Sequence, residues 1–139
     1  MAPERAVAIT RVYHFSAAHR LANRSMSDEA NETLYGACAR PHGHNYYLEV
    51  TVTGTPEPLT GMAVDLARLD ATVHRVVLDQ VDHATLEEAP ALAGVITTGE
   101  SLARAFWRAL APAMDGARLS RVGVVETAKN RFEYRGDDA

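Results

Sequence analysis

The segment Cys38-Ala39-Arg40-Pro41-His42-Gly43-His44-Asn45-Tyr46 constrains this chain more than any other. It runs into Tyr46-Tyr47-Leu48-Glu49-Val50-Thr51-Val52, whose alternation reads as a strand. Side chains alternate across a strand, so His42 and His44 point to one face. Two neutral imidazoles at that spacing, with a glycine between them, suit a zinc ion. The only cysteine, Cys38, stands four residues upstream of His42 and within reach of the same spot.

With 139 residues, the chain is expected to form one domain over 1–139, with loose tails at 1–4 and 137–139. A net charge of −4 argues against a nucleic-acid groove or an anionic membrane surface as the main partner. Thirteen of the fourteen basic residues are arginines, read for the most part as scattered surface charge. A single cysteine excludes an internal disulfide. The first residues lack an apolar signal region, and no run approaches the roughly 18 apolar residues of a membrane span. The expected setting is cytoplasmic, with the thiol reduced.

Strands are expected over about Arg5–Ala18, with an interruption near Thr10-Arg11, and over His44–Gly54. Between them Ala22–Gly36 is polar, with a short helical turn expected around Asp28–Leu34. A loop of that length inside a compact domain points to function. Leu66, Leu69, Val73, Val76 and Val77 form a helical stripe to about Gln80, and Val81–Pro90 is read as irregular. Thr97-Thr98-Gly99-Glu100 fits a capping box with Thr97 as N-cap and Glu100 at the third helical position. The helix that follows is expected to end at Asp115-Gly116. Two strands close the chain, around Val122–Thr127 and Arg131–Arg135. The order strand, strand, helix, helix, strand, strand predicts an α+β fold, with two helices on one face of a four-stranded antiparallel sheet. Such a sheet has open edges, and oligomerisation through them is the natural solution.

His14 and His74 have no partners in the pattern and receive no role. A catalytic zinc site keeps three protein ligands and one open position, and His19 is the best third ligand. Cys38 has three readings: a fourth ligand closing a structural site, inert packing, or a thiolate acting as base or nucleophile. Asp82-His83 places a carboxylate beside an imidazole, though adjacent side chains often point apart. Glu126 ends an apolar strand, where a carboxylate needs a partner such as a row of N–H donors.

Taken together, Phe15-Ser16-Ala17-Ala18-His19-Arg20-Leu21, Cys38-x3-His42-Gly43-His44-Asn45-Tyr46, Thr60-Gly61-Met62, Asp82-His83, Thr98-x-Glu100 and Val125-Glu126-Thr127 resemble the 6-pyruvoyltetrahydropterin synthase / 6-carboxytetrahydropterin synthase family. The motifs run in order over about residues 7–136. The resemblance implies a tunnelling fold with a ββααββ subunit, trimers closing a twelve-stranded barrel, and two trimers stacked as a homohexamer. It implies zinc bound by His19, His42 and His44, with Cys38, Asp82 and His83 catalytic. It also implies a pterin triphosphate substrate anchored by Glu126, in a pocket lined by Thr98 and Glu100 at a subunit contact.

Two features bear on the product. The Cys38-x3-His42 spacing resembles the 6-carboxytetrahydropterin synthases of the queuosine and deazapurine route, which release acetaldehyde and triphosphate. The long Asn23–Gly36 loop resembles the 6-pyruvoyltetrahydropterin synthases. The spacing at the thiol is weighted more heavily, so the expected activity is 6-carboxytetrahydropterin synthesis, with pyruvoyl formation as the alternative. From another class, a non-catalytic zinc protein closed by Cys38 is the competing hypothesis. Ser101, where the family commonly has asparagine, and Gly99, read as added flexibility, are departures from the pattern.

Overall fold

The computed structural model describes residues 6–136. The tails expected at 1–4 and 137–139 lie outside that range. β1 (Val7–His19) and β2 (His42–Gly54) pair antiparallel along their full length, from Val7 opposite Gly54 to His19 opposite His42. The interruption expected near Thr10-Arg11 does not occur. Thr10 sits opposite Thr51 in the ladder, and their hydroxyls are 2.7 Å apart.

A two-residue strand, β3 (Ala84–Thr85), lies parallel to the end of β1, with Ala17 opposite Ala84 and Ala18 opposite Thr85. β4 (Arg118–Thr127) pairs with β2, and β5 (Asn130–Tyr134) pairs with β4. The sheet order is β3-β1-β2-β4-β5. The α+β fold with an antiparallel four-stranded body is therefore as the sequence predicts. The fifth strand falls in the stretch read as irregular, because two residues carry no periodicity to read.

α1 (Asp28–Tyr35) is a true helix within the polar loop. Ser27 caps it by accepting from the Ala30 amide at 3.1 Å. The loop is organised by Asn31, which is buried. Its amide nitrogen donates to the carbonyls of Asn23 and Ser27 at 2.9 and 3.1 Å, and its oxygen accepts from the Asn23 amide at 2.8 Å. α2 (Leu66–Val73) continues through a π-helical turn, His74–Leu78, into a last turn at Asp79–Val81. α3 (Gly99–Leu110) ends in a 3-10 turn at Ala111–Ala113, ahead of the expected Asp115-Gly116 stop, with Pro112 unable to continue the ladder.

The helices cover the sheet face formed by Tyr13, Phe15, Tyr46, Leu48, Val50, Val122 and Val124, all buried. Leu69, Val73 and Val77 from the first long helix and Leu102, Phe106 and Leu110 from α3 close this core. Phe15 stacks on Tyr46 with ring centroids 4.7 Å apart, and Phe106 meets Phe15 edge-on at 6.1 Å. Burying each such side chain contributes about 1.5–3 kcal/mol. The opposite face is polar. There Arg121, only 8% exposed, donates to Glu49 at 2.6 Å and to Glu133 at 2.8 Å.

Candidate active site

The core-side alternation of β1 and β2 carries Tyr13, Phe15, Ala17 and His19 on one strand and His42, His44, Tyr46 and Leu48 on the other. Because the register puts His19 opposite His42, the three imidazoles gather at one end of the apolar face. One ring nitrogen from each lies within 4.8 Å of the other two. Ring centroids are 4.5 Å apart for His19–His42, 4.9 Å for His42–His44 and 5.2 Å for His19–His44.

The donor set fits zinc. His42 Nδ1 is 2.7 Å from the Arg40 carbonyl oxygen, and His19 Nδ1 is 3.1 Å from that of Thr97. A carbonyl only accepts, so each Nδ1 carries the proton and each Nε2 keeps its lone pair. Such contacts are the usual way a ligating imidazole is oriented. Burial, and after it the neighbouring His42 and His44, pushes His19 down to about 4. His44 is lowered as well, by burial first. Neutral imidazoles are the form a metal takes. Tyr46, buried beneath the cluster, has its hydroxyl oxygen 3.3 Å from His19 Nε2.

Cys38 is exposed, in a 3-10 turn (Gly36–Ala39) that precedes β2. It is not part of the three-imidazole cluster, which is the metal-ligand grouping found among the described residues. Its carbonyl accepts from the Leu21 amide at 2.7 Å, so the turn is tied to the chain just past β1.

Asp82 and His83 do interact, although neighbours in sequence often diverge. His83 adopts a left-handed backbone, φ 58°, which is uncommon outside glycine and concentrates at functional positions. That turn brings His83 Nδ1 to 3.0 Å from Asp82 Oδ1. Asp82 Oδ1 also accepts from the Ser16 amide at 3.0 Å, and the His83 amide donates to the Ser16 carbonyl at 2.6 Å. Asp82 is held below the usual carboxylate range, mainly by the Ser16 amide. The His83 ring is largely open to solvent. It lines an open cleft of about 590 Å³ that also takes in Ser16, Gly43, His44 and Asn45.

At the start of α3 the expected cap is shifted by one residue. Thr98, extended at φ −67° and ψ 158°, is the N-cap and accepts from the Ser101 amide at 3.3 Å. Glu100 is then the second helical residue, exposed, in the first turn where a carboxylate suits the helix dipole. Two successive threonines give the same sequence signal, and tertiary contacts choose between them. Thr97 is instead 1% exposed and turned towards His19. Gly99 is likewise not a point of flexibility, since it packs against Phe132. Glu126, half-buried at the end of β4, acts electrostatically on both His44 and Tyr46.

Sequence reasoning did not single out Glu87 as part of this neighbourhood, and it assigned Thr97 only to the helix cap. Glu87 Oε1 accepts from the Arg20 amide at 2.9 Å and from the Thr97 hydroxyl at 3.1 Å. Within Leu86-Glu87-Glu88 an acidic side chain reads as solvated surface. Only the pairing of β3 with β1 turns it inward.

The fold and the site define an α+β protein with a three-histidine centre at one end of its sheet. Residues 8–137 match the family model described as PTPS: 6-pyruvoyl tetrahydropterin synthase. A 6-pyruvoyl tetrahydrobiopterin synthase from Poecilia reticulata is 42% identical over 137 residues, covering 96% of this chain and 93% of the relative. One from Dictyostelium discoideum is 38% identical over 134 residues, covering 96% and 98%. The solved structure of Caenorhabditis elegans 6-pyruvoyl tetrahydropterin synthase superposes with a TM-score of 0.90 at 36% identity, covering 99% of this chain and all of the other. This chain belongs to the 6-pyruvoyl tetrahydropterin synthase family.

These relatives correct the product expected from the sequence. The Cys38-x3-His42 gap favoured 6-carboxytetrahydropterin synthesis on the queuosine route, yet the relatives at 38–42% identity are named 6-pyruvoyl tetrahydrobiopterin synthases. The gap begins at Ala39, the last residue of the 3-10 turn Gly36–Ala39 whose Cys38 carbonyl is tied to Leu21, and runs through Arg40 and Pro41 into β2. The Asn23–Gly36 segment, the feature that resembled the pyruvoyl enzymes, is an ordered element built around buried Asn31. No described helix is long and apolar enough to cross a membrane.

Proposed function

We propose that this protein is a zinc-dependent lyase that eliminates triphosphate from 7,8-dihydroneopterin triphosphate and yields 6-pyruvoyltetrahydropterin. The observation that carries the proposal is the three-imidazole cluster of His19, His42 and His44, with Cys38 outside it. A structural zinc site closes with a fourth protein ligand, whereas three leave a position for substrate. That arrangement speaks against the non-catalytic zinc protein.

His19, His42 and His44 would hold the zinc, which would supply Lewis-acid chemistry at the hydroxyls of the substrate side chain and so acidify the adjacent C–H bonds. Cys38, as thiolate, removes a proton from a side-chain carbon. His83, with Asp82 on its Nδ1, returns a proton to the substrate. Glu126 accepts the row of N–H donors along the guanidine-like edge of the pterin, and Thr98 and Glu100 line the pocket around the ring. A proton shift turns the side-chain carbinol next to the ring into a ketone while the ring gains two hydrogens. Elimination of triphosphate turns the second carbinol into a ketone and the terminal carbon into a methyl group, so the balance needs no external reductant.

We also place the protein in a homohexamer of two trimers. β5 and the part of β1 before Ala17 are open sheet edges in the single chain. Unpaired edges template pairing with another chain, and joining them closes the barrel that the family resemblance implies. A reaction that needs a free thiol suits a reducing compartment, and we assign the cytoplasm.

Incubation of the zinc-loaded protein with 7,8-dihydroneopterin triphosphate tests the reaction. Triphosphate and a 6-pyruvoyl pterin are expected, without acetaldehyde. Acetaldehyde release, or unconsumed substrate, overturns the reading. Light scattering on the eluting protein tests the assembly, and a monomer at micromolar concentration overturns it.

A further inference from the structure

The segment Asp82–Glu87 runs along residues 16–20 of the β1 strand and its exit. Asp82 and His83 bond to the Ser16 backbone, Ala84 and Thr85 pair with Ala17 and Ala18, and Glu87 Oε1 accepts from the Arg20 amide. One strip of chain therefore holds the Asp-His pair at one end and a carboxylate next to the His19 support at the other. Leu86, fully buried, anchors the strip to the core.

The Thr97 hydroxyl has one hydrogen to give. Its acceptors are Glu87 Oε1 at 3.1 Å and the Arg20 carbonyl at 3.4 Å. The nearer and charged acceptor takes it, since charge-assisted hydrogen bonds are the stronger ones. With that hydrogen committed, Thr97 Oγ1 presents only lone pairs to His19 Nδ1, 3.0 Å away. The Thr97 carbonyl is a second acceptor for the same nitrogen at 3.1 Å. Thr97 and His19 are 1% and 2% exposed, so water does not compete for these bonds. His42 by contrast rests on the Arg40 carbonyl in a more open position.

We propose that Glu87 and Thr97 are positioning residues, forming a carboxylate–hydroxyl–imidazole chain that fixes the His19 ring and directs its Nε2 lone pair to the metal. The inference rests on the zinc reading above. Glu87 acts only through Thr97, and Thr97 only through His19.

The test compares wild type with Thr97→Val, Thr97→Ser and Glu87→Gln, reading zinc affinity by chelator competition and the visible absorption band of the cobalt(II) protein. Thr97→Val keeps the shape and the backbone carbonyl but removes the hydroxyl. It is expected to weaken zinc by roughly 10–100-fold and to shift the cobalt band. Thr97→Ser is expected to restore both. Glu87→Gln keeps an acceptor but removes the charge, and is expected to give a smaller loss in the same direction. It also decides the matter if Thr97→Val does not fold. Wild-type affinity with an unshifted band in Thr97→Val and Glu87→Gln, or a loss that Thr97→Ser does not reverse, overturns the proposal. A wild type that takes up neither zinc nor cobalt overturns the zinc reading itself, and this proposal with it, which separates the two failures.

Discussion

Gly99 lies so close to Phe132 that a Cβ placed on it would overlap the ring at Phe132 Cδ2. Glycine within a helix normally gains about 0.5–1 kcal/mol on replacement by alanine. Here the sign reverses, because the ring would have to leave the side of α3 where β5 packs. Gly99→Ala is expected to lower stability by about 1–3 kcal/mol, the usual range for overpacking. Urea unfolding checks this, and a neutral or stabilised variant would show that the Phe132 ring moves aside freely.

Cys38 and His42 stand four residues apart yet carry different expectations. Cys38 is outside the imidazole cluster, so Cys38→Ala is expected to keep full zinc content while turnover falls by roughly 10²–10⁴-fold, the usual contribution of a positioned base. His42→Ala is expected to lose both zinc and turnover. Metal analysis of the purified variants separates the two, and zinc lost from Cys38→Ala would restore the four-ligand structural reading.

Glu126 faces His44 and Tyr46 without belonging to the cluster. Glu126→Gln keeps the shape but removes the charge proposed to receive the pterin N–H groups. A hydrogen bond to a charged group contributes about 1.5–3 kcal/mol, so substrate affinity is expected to fall by roughly 10–100-fold at unchanged zinc content. Unchanged affinity would remove Glu126 from the pterin site.

His19 couples stability to pH in the metal-stripped protein. Its pKa falls from the ordinary 6.5 to about 4 on folding, chiefly through burial. Between those values the unfolded chain binds more protons than the native one, so stability declines as pH is lowered. The contribution is complete above about 6.5 and is lost on descending to about 4. Urea midpoints measured across this window are expected to fall more steeply for wild type than for His19→Gln. Parallel curves would assign the decline to other groups.

Much of this site was legible because it follows from alternation. His42-Gly43-His44 leads into an alternating strand, and Phe15 to His19 alternates the same way, so the shared face could be read from spacing. What spacing does not encode is contact between short or irregular pieces. β3 has two residues, and Glu87 lies in an acidic stretch that looks solvated. Thr97 and Thr98 are the same residue type, and only the His19 ring, brought in from β1, decides which of them caps α3. The product was misjudged from a three-residue gap that leads out of the Gly36–Ala39 turn into β2, while the longer Asn23–Gly36 segment held the better clue.

The register that seats His19 opposite His42 also closes the base of residues 20–41. Leu21 bonding to Cys38 extends that closure one step beyond the strands. A metal shared by the two histidines would work as a clasp at the neck of this excursion, below its helix. The excursion is then a cassette. Closing a longer loop costs only about 0.6 kcal/mol per doubling of length, so it can be lengthened, shortened or exchanged while the ligands at its neck stay in place.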